Sequence, residues 1–321
     1  MHTFFLLTAL LLAALISVLG AVLLRLLPVG NRRPAALVVL GLPPAVLILA
    51  TAHLIPLFWA ECAPLIGWDR VASFSLLGVL AAAGLGAVGL SMARLTLVDR
   101  LLPACTLIAD SVLTVDVCAL AKGVGLPPPA LRVLPSHSPL AVAGGLRRPS
   151  VVLSTWLLEH LDRHELESLE SVVTHELAHL ARRDYLTRWL ARLLRDATFY
   201  LPGAWYALRV LEADEELSAD ALAVFATGRP LAMASALGKV WRAMSTAEYG
   251  GLAGAPGYAA GSADLIEERL ERLISGRALP TSAVLGRLVA SVSLVAMGEV
   301  ATQLLALSAA TIPFVCSMRL Q

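Results

Sequence analysis

Two histidines and a glutamate form the pattern H-E-x-x-H within the segment SVVTHELAHLARRD, residues 171–184. His175 and His179 are four residues apart, so a helix would place both on one face, where their imidazoles could bind one metal ion. Glu176 follows the first histidine and could reach a water molecule at that metal and accept its proton. The segment therefore predicts a metal site for hydrolytic chemistry.

A second segment supplies acidic residues that could complete such a site. Two histidines leave a catalytic zinc ion one protein ligand short, and the nearest dense acidic cluster reads LEADEELSADALAVFA. Glu216 and Asp220 are four residues apart, which suits a ligand carboxylate followed by a carboxylate that orients a ligand histidine. Spacing alone leaves Glu212 and Glu215 open as alternatives. A solvated acidic face fits Glu212 and Asp214 better than it fits Asp220.

The two motifs together resemble the BlaR/MecR-type membrane zinc peptidases, which are gluzincins with H-E-x-x-H on one helix and E-x-x-x-D on a second. The resemblance extends over residues 138–276, from SPLAVAGGLRRPSVVLSTWLLEHLDRHELESL to LIEERLERLISG. HtpX-type and CAAX prenyl proteases share both helix motifs and stay open as alternatives. The resemblance implies a Zn²⁺ ion held by His175, His179 and Glu216, with Glu176 as the catalytic residue. It also implies that Asp220 is the carboxylate that orients a ligand histidine.

The chain also departs from that family. Ala219 stands where the family often has cysteine before the aspartate. The antibiotic sensors carry a large extracellular penicillin-binding domain, and this sequence resembles the short members without it. A non-catalytic membrane receptor or scaffold with the peptidase fold is a further alternative, although the intact Glu176 favours an enzyme. Arg269 and Arg272 are candidate donors for the oxyanion, with a solvated helix face or pairing to Glu268 as the plainer interpretation.

The elements around the first motif can also be predicted. Apolar residues at helical spacing, with Asp162 and Glu165 as a capping box, predict a helix from Arg163 to about Arg183. Short apolar runs at 140–142 and 151–153 flank two glycines and predict a hairpin. That hairpin would pack against the helix, and its edge could also bind an extended substrate.

Composition indicates a membrane protein. Hydrophobic residues make up 58% of the 321 residues and charged residues only 15%, against roughly 45–50% and about 25% in soluble domains. Charge is dense at 97–281 and sparse at 1–96 and 282–321. The net charge of +1 gives no support for direct nucleic-acid binding. The four cysteines form no CxxC pair, which argues against a cysteine-based zinc site.

Long uncharged segments predict where the chain crosses the bilayer, since a spanning helix needs about 20 mostly apolar residues. Three lie before the motif region, at 3–24, 35–60 and 71–93, and a fourth candidate lies at 288–315. Glu299 falls inside the fourth candidate. It is either a functional intramembrane acid or, with a span that starts at Val300, an interfacial residue. The stretch 199–211 between the motif helices is aromatic and lies either at the membrane interface or in a core.

The predicted fold class is mainly α: a multi-span membrane protein whose helix-rich gluzincin domain carries a small β-sheet. The predicted domains are three transmembrane helices (1–96), a cytoplasmic zinc metallopeptidase domain (97–281) and a C-terminal transmembrane helix with a short tail (282–321). The first loop carries Arg25, Arg32 and Arg33, so the positive-inside rule places the N-terminus outside and the zinc domain in the cytoplasm of a plasma-membrane protein.

The resemblance also implies a function and partners. We expect hydrolysis of a peptide bond in a cytoplasmic or juxtamembrane protein, in signalling or regulated proteolysis. The substrate would be a BlaI/MecI-like transcriptional repressor or the chain itself. An HtpX/CAAX-type role in protein quality control or processing is the alternative. The lipid bilayer is the other partner, and a homodimer is one option for the oligomeric state.

Overall fold

The structure, a computed structural model, is predominantly helical and contains one small sheet, which confirms the predicted fold class. It describes residues 2–30, 32–59, 67–101, 106–107, 117–144, 149–162, 166–245 and 256–277, with eight further residues between 291 and 306. The helices are α1 His2–Leu26, α2 Arg32–Trp59, α3 Gly67–Leu101, α4 Val117–Gly123, α5 Thr155–Leu157, α6 Leu166–Arg182, α7 Asp184–Ala197, α8 Pro202–Thr227, α9 Pro230–Ser245 and α10 Pro256–Ser275, with a π-helical turn at Leu158–Asp162. The strands are β1 Thr106–Leu107, β2 Ala130–Leu134, β3 Ala141–Gly144 and β4 Ser150–Ser154.

The chain divides into two compact units. The first contains residues 1–92, 188–214 and 280–321, and the second contains residues 93–187 and 215–279. The first unit thus takes up a segment, 188–214, that lies between the two motifs in the sequence. The predicted domain boundaries near 96 and 281 stay a prediction.

Three helices of the first unit are long and apolar enough to cross a membrane, at Thr3–Leu26, Arg32–Ala52 and Gly67–Arg94. They correspond to the three spans that the sequence predicts before the motif region. Helices α1 and α2 approach closely at Gly20, where an added Cβ would lie 2.6 Å from Val39 Cγ1, as small residues allow between membrane helices. Most of the fourth predicted span lies outside the described residues, and the role of Glu299 stays a prediction.

The second unit contains a four-stranded sheet in the order β1-β2-β4-β3. Strand β4 pairs parallel with β2 and antiparallel with β3, in the register Ala141↔Leu153 to Gly144↔Ser150. This pairing confirms the strands of the predicted hairpin, while β1 and β2 were not predicted. All five residues of β4 are buried, as expected of a central strand that is covered by helices.

Helix α6 packs its apolar stripe against this sheet. Leu169, Val173 and Leu177 are fully buried in one cluster with Val151 and Leu153 of β4. Burial of such side chains contributes roughly 1.5–3 kcal/mol each. The stripe therefore fixes the rotation of α6 about its axis and with it the direction of the polar residues on the helix.

Candidate metal centre

Helices α6 and α8 carry the residues of the two sequence motifs. His175, Glu176 and His179 lie on α6, where the first two are buried and the third is partly exposed. Glu216 and Asp220 lie one turn apart on α8, and Asp220 is buried. The structure brings four of the predicted site residues together within the second unit: His175, His179, Glu216 and Asp220.

Three of these side chains converge on one point. The Nε2 atoms of His175 and His179 lie 3.1 Å apart. Oxygen atoms of the Glu216 carboxylate lie 3.4 Å from His175 Nε2 and 3.5 Å from His179 Nε2. Two imidazole nitrogens and one carboxylate therefore face one another, with Oε2 of Glu216 near His175 and Oε1 near His179.

These distances are similar to those between the ligand atoms of a tetrahedral metal ion. Zinc binds imidazole nitrogen and carboxylate oxygen at about 2.0–2.2 Å, so two ligand atoms of a tetrahedron lie about 3.3 Å apart. The two histidines and Glu216 match that spacing, and two His with one Glu is a donor set found in catalytic zinc sites. The residues could hold a metal ion, and their geometry fits zinc.

A carboxylate lies behind each imidazole. Asp220 Oδ1 lies 2.9 Å from His175 Nδ1 as an ion pair, and Asp184 Oδ2 lies 2.8 Å from His179 Nδ1. Such a contact fixes the ring and turns Nε2 towards the metal, while the negative charge makes the imidazole a better donor. Each histidine therefore has its own orienting carboxylate.

The position of Asp184 depends on a sharp chain reversal. Arg183 has φ of 54°, the left-handed conformation that commonly ends helices. Its amide N–H donates to Leu180 O, and its carbonyl accepts from the amides of Leu186 and Thr187 at the start of α7. The turn ends α6, starts α7 and brings Asp184 back beside His179.

Arg269 of α10 joins the two acidic residues of α8. Its guanidinium donates two hydrogen bonds to Asp220, of 2.7 and 2.8 Å, and its Nη1 lies 3.1 Å from Glu216 Oε2. A bidentate contact of this kind fixes both position and orientation. Because Arg269 is buried against these carboxylates, it acts as a clamp on them, and a role as oxyanion donor stays a prediction. Arg272 pairs with Glu268, at 3.0 Å, as in the plainer interpretation.

The charges of the site shift its titration. Burial alone lowers the pKa of His175, but contacts with Asp220 and Glu216 outweigh it and raise that pKa to about 9. Burial alone raises the pKa of Glu216, yet His175 and Arg269 hold it well below its ordinary value. Burial alone also raises the pKa of Asp220, but its contacts, chiefly with Arg269, outweigh burial and lower that pKa. In the metal-free protein the site therefore combines a protonated imidazole with ionised carboxylates.

The remaining acidic candidates have other contacts. Glu212 pairs with Arg192 at 3.0 Å. Asp214 is buried and accepts a hydrogen bond from Gly30 N at 2.5 Å, so the prediction of a solvated position for it was wrong. Glu215 is fully buried. Among these neighbours on α8, the structure brings Glu216 to the histidines.

Sequence reasoning missed the role of two residues. Asp184 stands at the end of the string THELAHLARRD, five positions after His179, where helical spacing alone gives it no reason to return to the site. Arg269 lies 49 residues after Asp220, and its only signal was a pair of arginines on a charged helix. Both contacts depend on the tertiary fold.

The chain is similar to known peptidases in this region. Residues 136–230 match the family model described as BlaR1 peptidase M56. Relatives named "Protease HtpX homolog" include one from Acaryochloris marina, which is 32% identical over an alignment of 176 positions that covers 44% of this chain and 58% of the relative. Another, from Acidiphilium cryptum, is 30% identical over an alignment of 162 positions that covers 40% of this chain and 55% of the relative. No solved structure matches.

Fold, donor set and similarity together define a class: a membrane protein with a peptidase-type domain that contains a His/Glu site able to hold a metal ion. Within that class, the similarity divides between the BlaR1-type peptidase domain and the HtpX proteases. The chain spans less than two thirds of the length of these curated relatives.

Proposed function

We propose that this chain is a membrane-embedded zinc endopeptidase. The observation that carries the proposal is the convergence of His175, His179 and Glu216, whose nitrogen and oxygen atoms approach one another to 3.1–3.5 Å, as one tetrahedral zinc ion requires. Three protein ligands leave a fourth position for water or substrate, as catalytic zinc sites do. A closed structural site would instead use four protein ligands.

Each residue of the site would have a different role in hydrolysis. His175, His179 and Glu216 would hold a zinc ion, which would supply a bound water with a pKa lowered towards about 7 and a Lewis acid for the carbonyl group. Glu176, adjacent to the first ligand, accepts the proton of the attacking water and then delivers it to the nitrogen of the leaving amine. Asp184 and Asp220 keep the imidazoles oriented, and Arg269 keeps the α8 carboxylates in place.

The sheet offers a place for an extended substrate. Strand β3 lies at the edge of the sheet, pairs with β4 on one side and packs next to α6. Val142 on this strand is exposed. A peptide that added to β3 by main-chain hydrogen bonds would run alongside the helix that carries the histidines, which supports an endopeptidase that accepts a chain rather than a small molecule.

Two cellular roles are supported by different similarities. The match to the BlaR1 peptidase M56 model supports regulated proteolysis in signalling, in which the chain cleaves a BlaI/MecI-like repressor or itself. The HtpX homologues support the alternative of protein quality control. In both cases we propose a plasma-membrane protein with its zinc domain at the cytoplasmic side, on the basis of the arginines in the first loop, and with a homodimer as one option.

The Glu176→Gln variant tests the enzymatic proposal. Full-length wild type, Glu176→Gln and a surface control, Glu159→Gln, are reconstituted in liposomes with zinc. Bound metal is measured, together with cleavage of β-casein, of a folded BlaI/MecI-like repressor and of the chain itself. We expect equal zinc in all three proteins, and activity at least about 100-fold lower only in Glu176→Gln.

The outcomes separate the alternatives. Cleavage of casein but not of the repressor would favour quality control, and the reverse would favour signalling. Undiminished cleavage by Glu176→Gln would show that the proposed base is wrong. Zinc-loaded wild type that cleaves none of the three proteins would favour a non-catalytic receptor or scaffold.

A further inference from the structure

We propose that residues 188–214, which comprise the last ten residues of α7, the first half of α8 and the turn between them, form a hairpin that inserts into the hydrocarbon region of the membrane. This segment, called the α7–α8 hairpin below, belongs to the same compact unit as α1–α3. Ala191, Leu201, Ala204, Ala207, Leu208 and Leu211 of the hairpin are buried in one apolar cluster with residues of α1 and α2. The proposal is independent of the proposed proteolytic activity.

The contact between α8 and α1 shows how deep the hairpin reaches into the membrane. Gly203 lies so close to Ser17 of α1 that an added Cβ would be 2.3 Å from the Ser17 carbonyl oxygen. Ser17 precedes Leu26, the last residue of the apolar segment, by nine residues, which is about 14 Å of helix. The hydrocarbon core is about 30 Å thick. The start of α8 therefore lies near the middle of the span.

Helix α2 gives the same depth independently. A Cβ added at Gly41 would lie 3.9 Å from Leu194 Cδ1 at the end of α7. Gly41 follows Arg32, the first residue of the second apolar segment, by nine residues, again about 14 Å of helix. Both arms of the hairpin thus reach the same level, measured from two different helices.

The other end of the hairpin contacts the polar ends of the spans. Trp189 donates a hydrogen bond to Ser91 O, 3.1 Å away and three residues before Arg94 at the end of the third apolar segment. Asp214 binds Gly30 N in the loop between α1 and α2. The hairpin therefore begins and ends at the boundary and has its turn at depth, as a re-entrant element does.

The tip of the hairpin has the surface that lipid requires. Phe199 and Trp205 are 56% and 42% exposed. Residues 193–208 contain two charged side chains, Arg195 and Asp196, which pair at 2.7 Å and are only 12% and 14% exposed. Arg195 also lies over the ring of Trp205, 4.1 Å from its centroid. Charges in lipid are tolerated when they pair in this way.

Several backbone groups of the turn are hydrogen-bonded within the protein, as membrane depth requires because lipid chains offer no hydrogen-bond partners. Thr198 N donates to Leu194 O, Leu201 N to Thr198 O and Ala204 N to Leu201 O. The indole of Trp205 donates to Phe199 O at 2.8 Å. Helix α1 exposes Leu15 and Val18 at the level of Ser17, so lipid chains already face this depth. We therefore assign the exposed tip to lipid hydrocarbon rather than to a protein partner.

Spin labelling of the full chain in liposomes tests the assignment. The four native cysteines are replaced, and a nitroxide is attached at Phe199→Cys, at Leu15→Cys as the lipid-facing reference and at Glu159→Cys as the water-facing reference. Collision with oxygen reports lipid, and collision with a water-soluble nickel chelate reports water. We expect position 199 to show the high oxygen-to-nickel ratio of position 15.

Two results would overturn the proposal. A ratio at position 199 that is closer to that of position 159 would place the tip in water. Low accessibility to both reagents would mean that protein, such as a second copy of the chain, covers it.

A second measurement keeps the native cysteines. Tryptophan fluorescence is compared in wild type and Trp205→Phe, in liposomes of lipid brominated near the chain ends. We expect the quenched component to shrink in the variant, with a smaller change in Trp189→Phe, whose indole lies near the boundary. An unchanged quenched component in Trp205→Phe would contradict the proposal.

Discussion

Replacement of Asp184 by asparagine tests whether the carboxylate behind His179 strengthens metal binding. Asp184 Oδ2 lies 2.8 Å from His179 Nδ1, and only 1% of Asp184 is exposed, so water screens the pair little. Asparagine has nearly the same shape and favours a helix start about as well as aspartate does. The substitution therefore removes one negative charge from behind the imidazole and leaves the turn between α6 and α7 in place.

The size of the effect follows from that contact. Loss of a carboxylate that holds a ligand histidine typically costs 10–100-fold in metal affinity, which corresponds to about 1.4–2.7 kcal/mol. The asparagine carbonyl can still accept the hydrogen bond from Nδ1, so ring orientation is partly kept. We expect zinc to bind about 10–100-fold more weakly to Asp184→Asn, with little change in the melting temperature of the metal-free protein.

Zinc affinity is measured by competition with a chromogenic chelator, on the purified full chain. The matched control is Arg182→Gln, which removes the Arg182–Asp184 ion pair of 3.3 Å but keeps the carboxylate beside His179. Because a partly exposed pair contributes about 0–1 kcal/mol, the control should lose less than about fivefold. If both variants bind zinc as tightly as wild type, the orienting role assigned to Asp184 is wrong.

Three further predictions concern the clamp, the titration of the site and the packing of α8. Arg269→Ala should lower the free energy of unfolding by about 3–5 kcal/mol, because Asp220 stays buried without its guanidinium, and Arg269→Lys should recover only part of this loss in denaturant titrations. Calorimetry in buffers of different ionisation enthalpy should show that zinc releases about one proton from His175, so apparent affinity should rise with pH up to the pKa of about 9. A constant affinity over that interval would contradict this. Gly203→Ala should lower the melting temperature, since its Cβ would lie 2.3 Å from a carbonyl oxygen of α1. The control Gly238→Ala, whose Cβ would have nothing within 4 Å, should stabilise the protein by about 0.5–1 kcal/mol. Equal shifts in melting temperature for the two variants would refute the close contact.

Features with a regular period were predictable from the sequence. The three spans follow from hydropathy alone, since a run of about 20 apolar residues is long enough to cross the hydrocarbon core and is rarely found in soluble domains. Helix α6 follows from its apolar stripe, and the β3–β4 pair follows from two short apolar runs around glycines. In each case a local pattern is enough: an unbroken apolar run for the spans, and a short-range apolar pattern for α6 and the strands.

Features that depend on a break in the period were not predictable. Asp184 follows His179 by five residues, which on a continued helix would place it about 140° away around the axis. The left-handed residue Arg183 brings it back, and a non-glycine residue gives no sequence signal for that conformation. Strands β1 and β2 are short, and their pairing joins segments that are distant in the chain. Such contacts are set by tertiary packing.

The acidic run on α8 shows why composition could not select the metal ligand. On one helix, Glu212 pairs with Arg192, Asp214 binds a backbone amide, and Asp220 binds His175 and Arg269. Each of these three carboxylates binds a donor from a different element, so its role is set by that partner and cannot be read from the acidic run itself. Glu216 also lies 3.1 Å from Arg269 Nη1, but it differs from the other three because its carboxylate faces the Nε2 atoms of two imidazoles whose Nδ1 atoms are directed at other acids. Two imidazole nitrogens that converge on one carboxylate leave space for a cation of about zinc size, and this is the physical reason to assign the third ligand to Glu216.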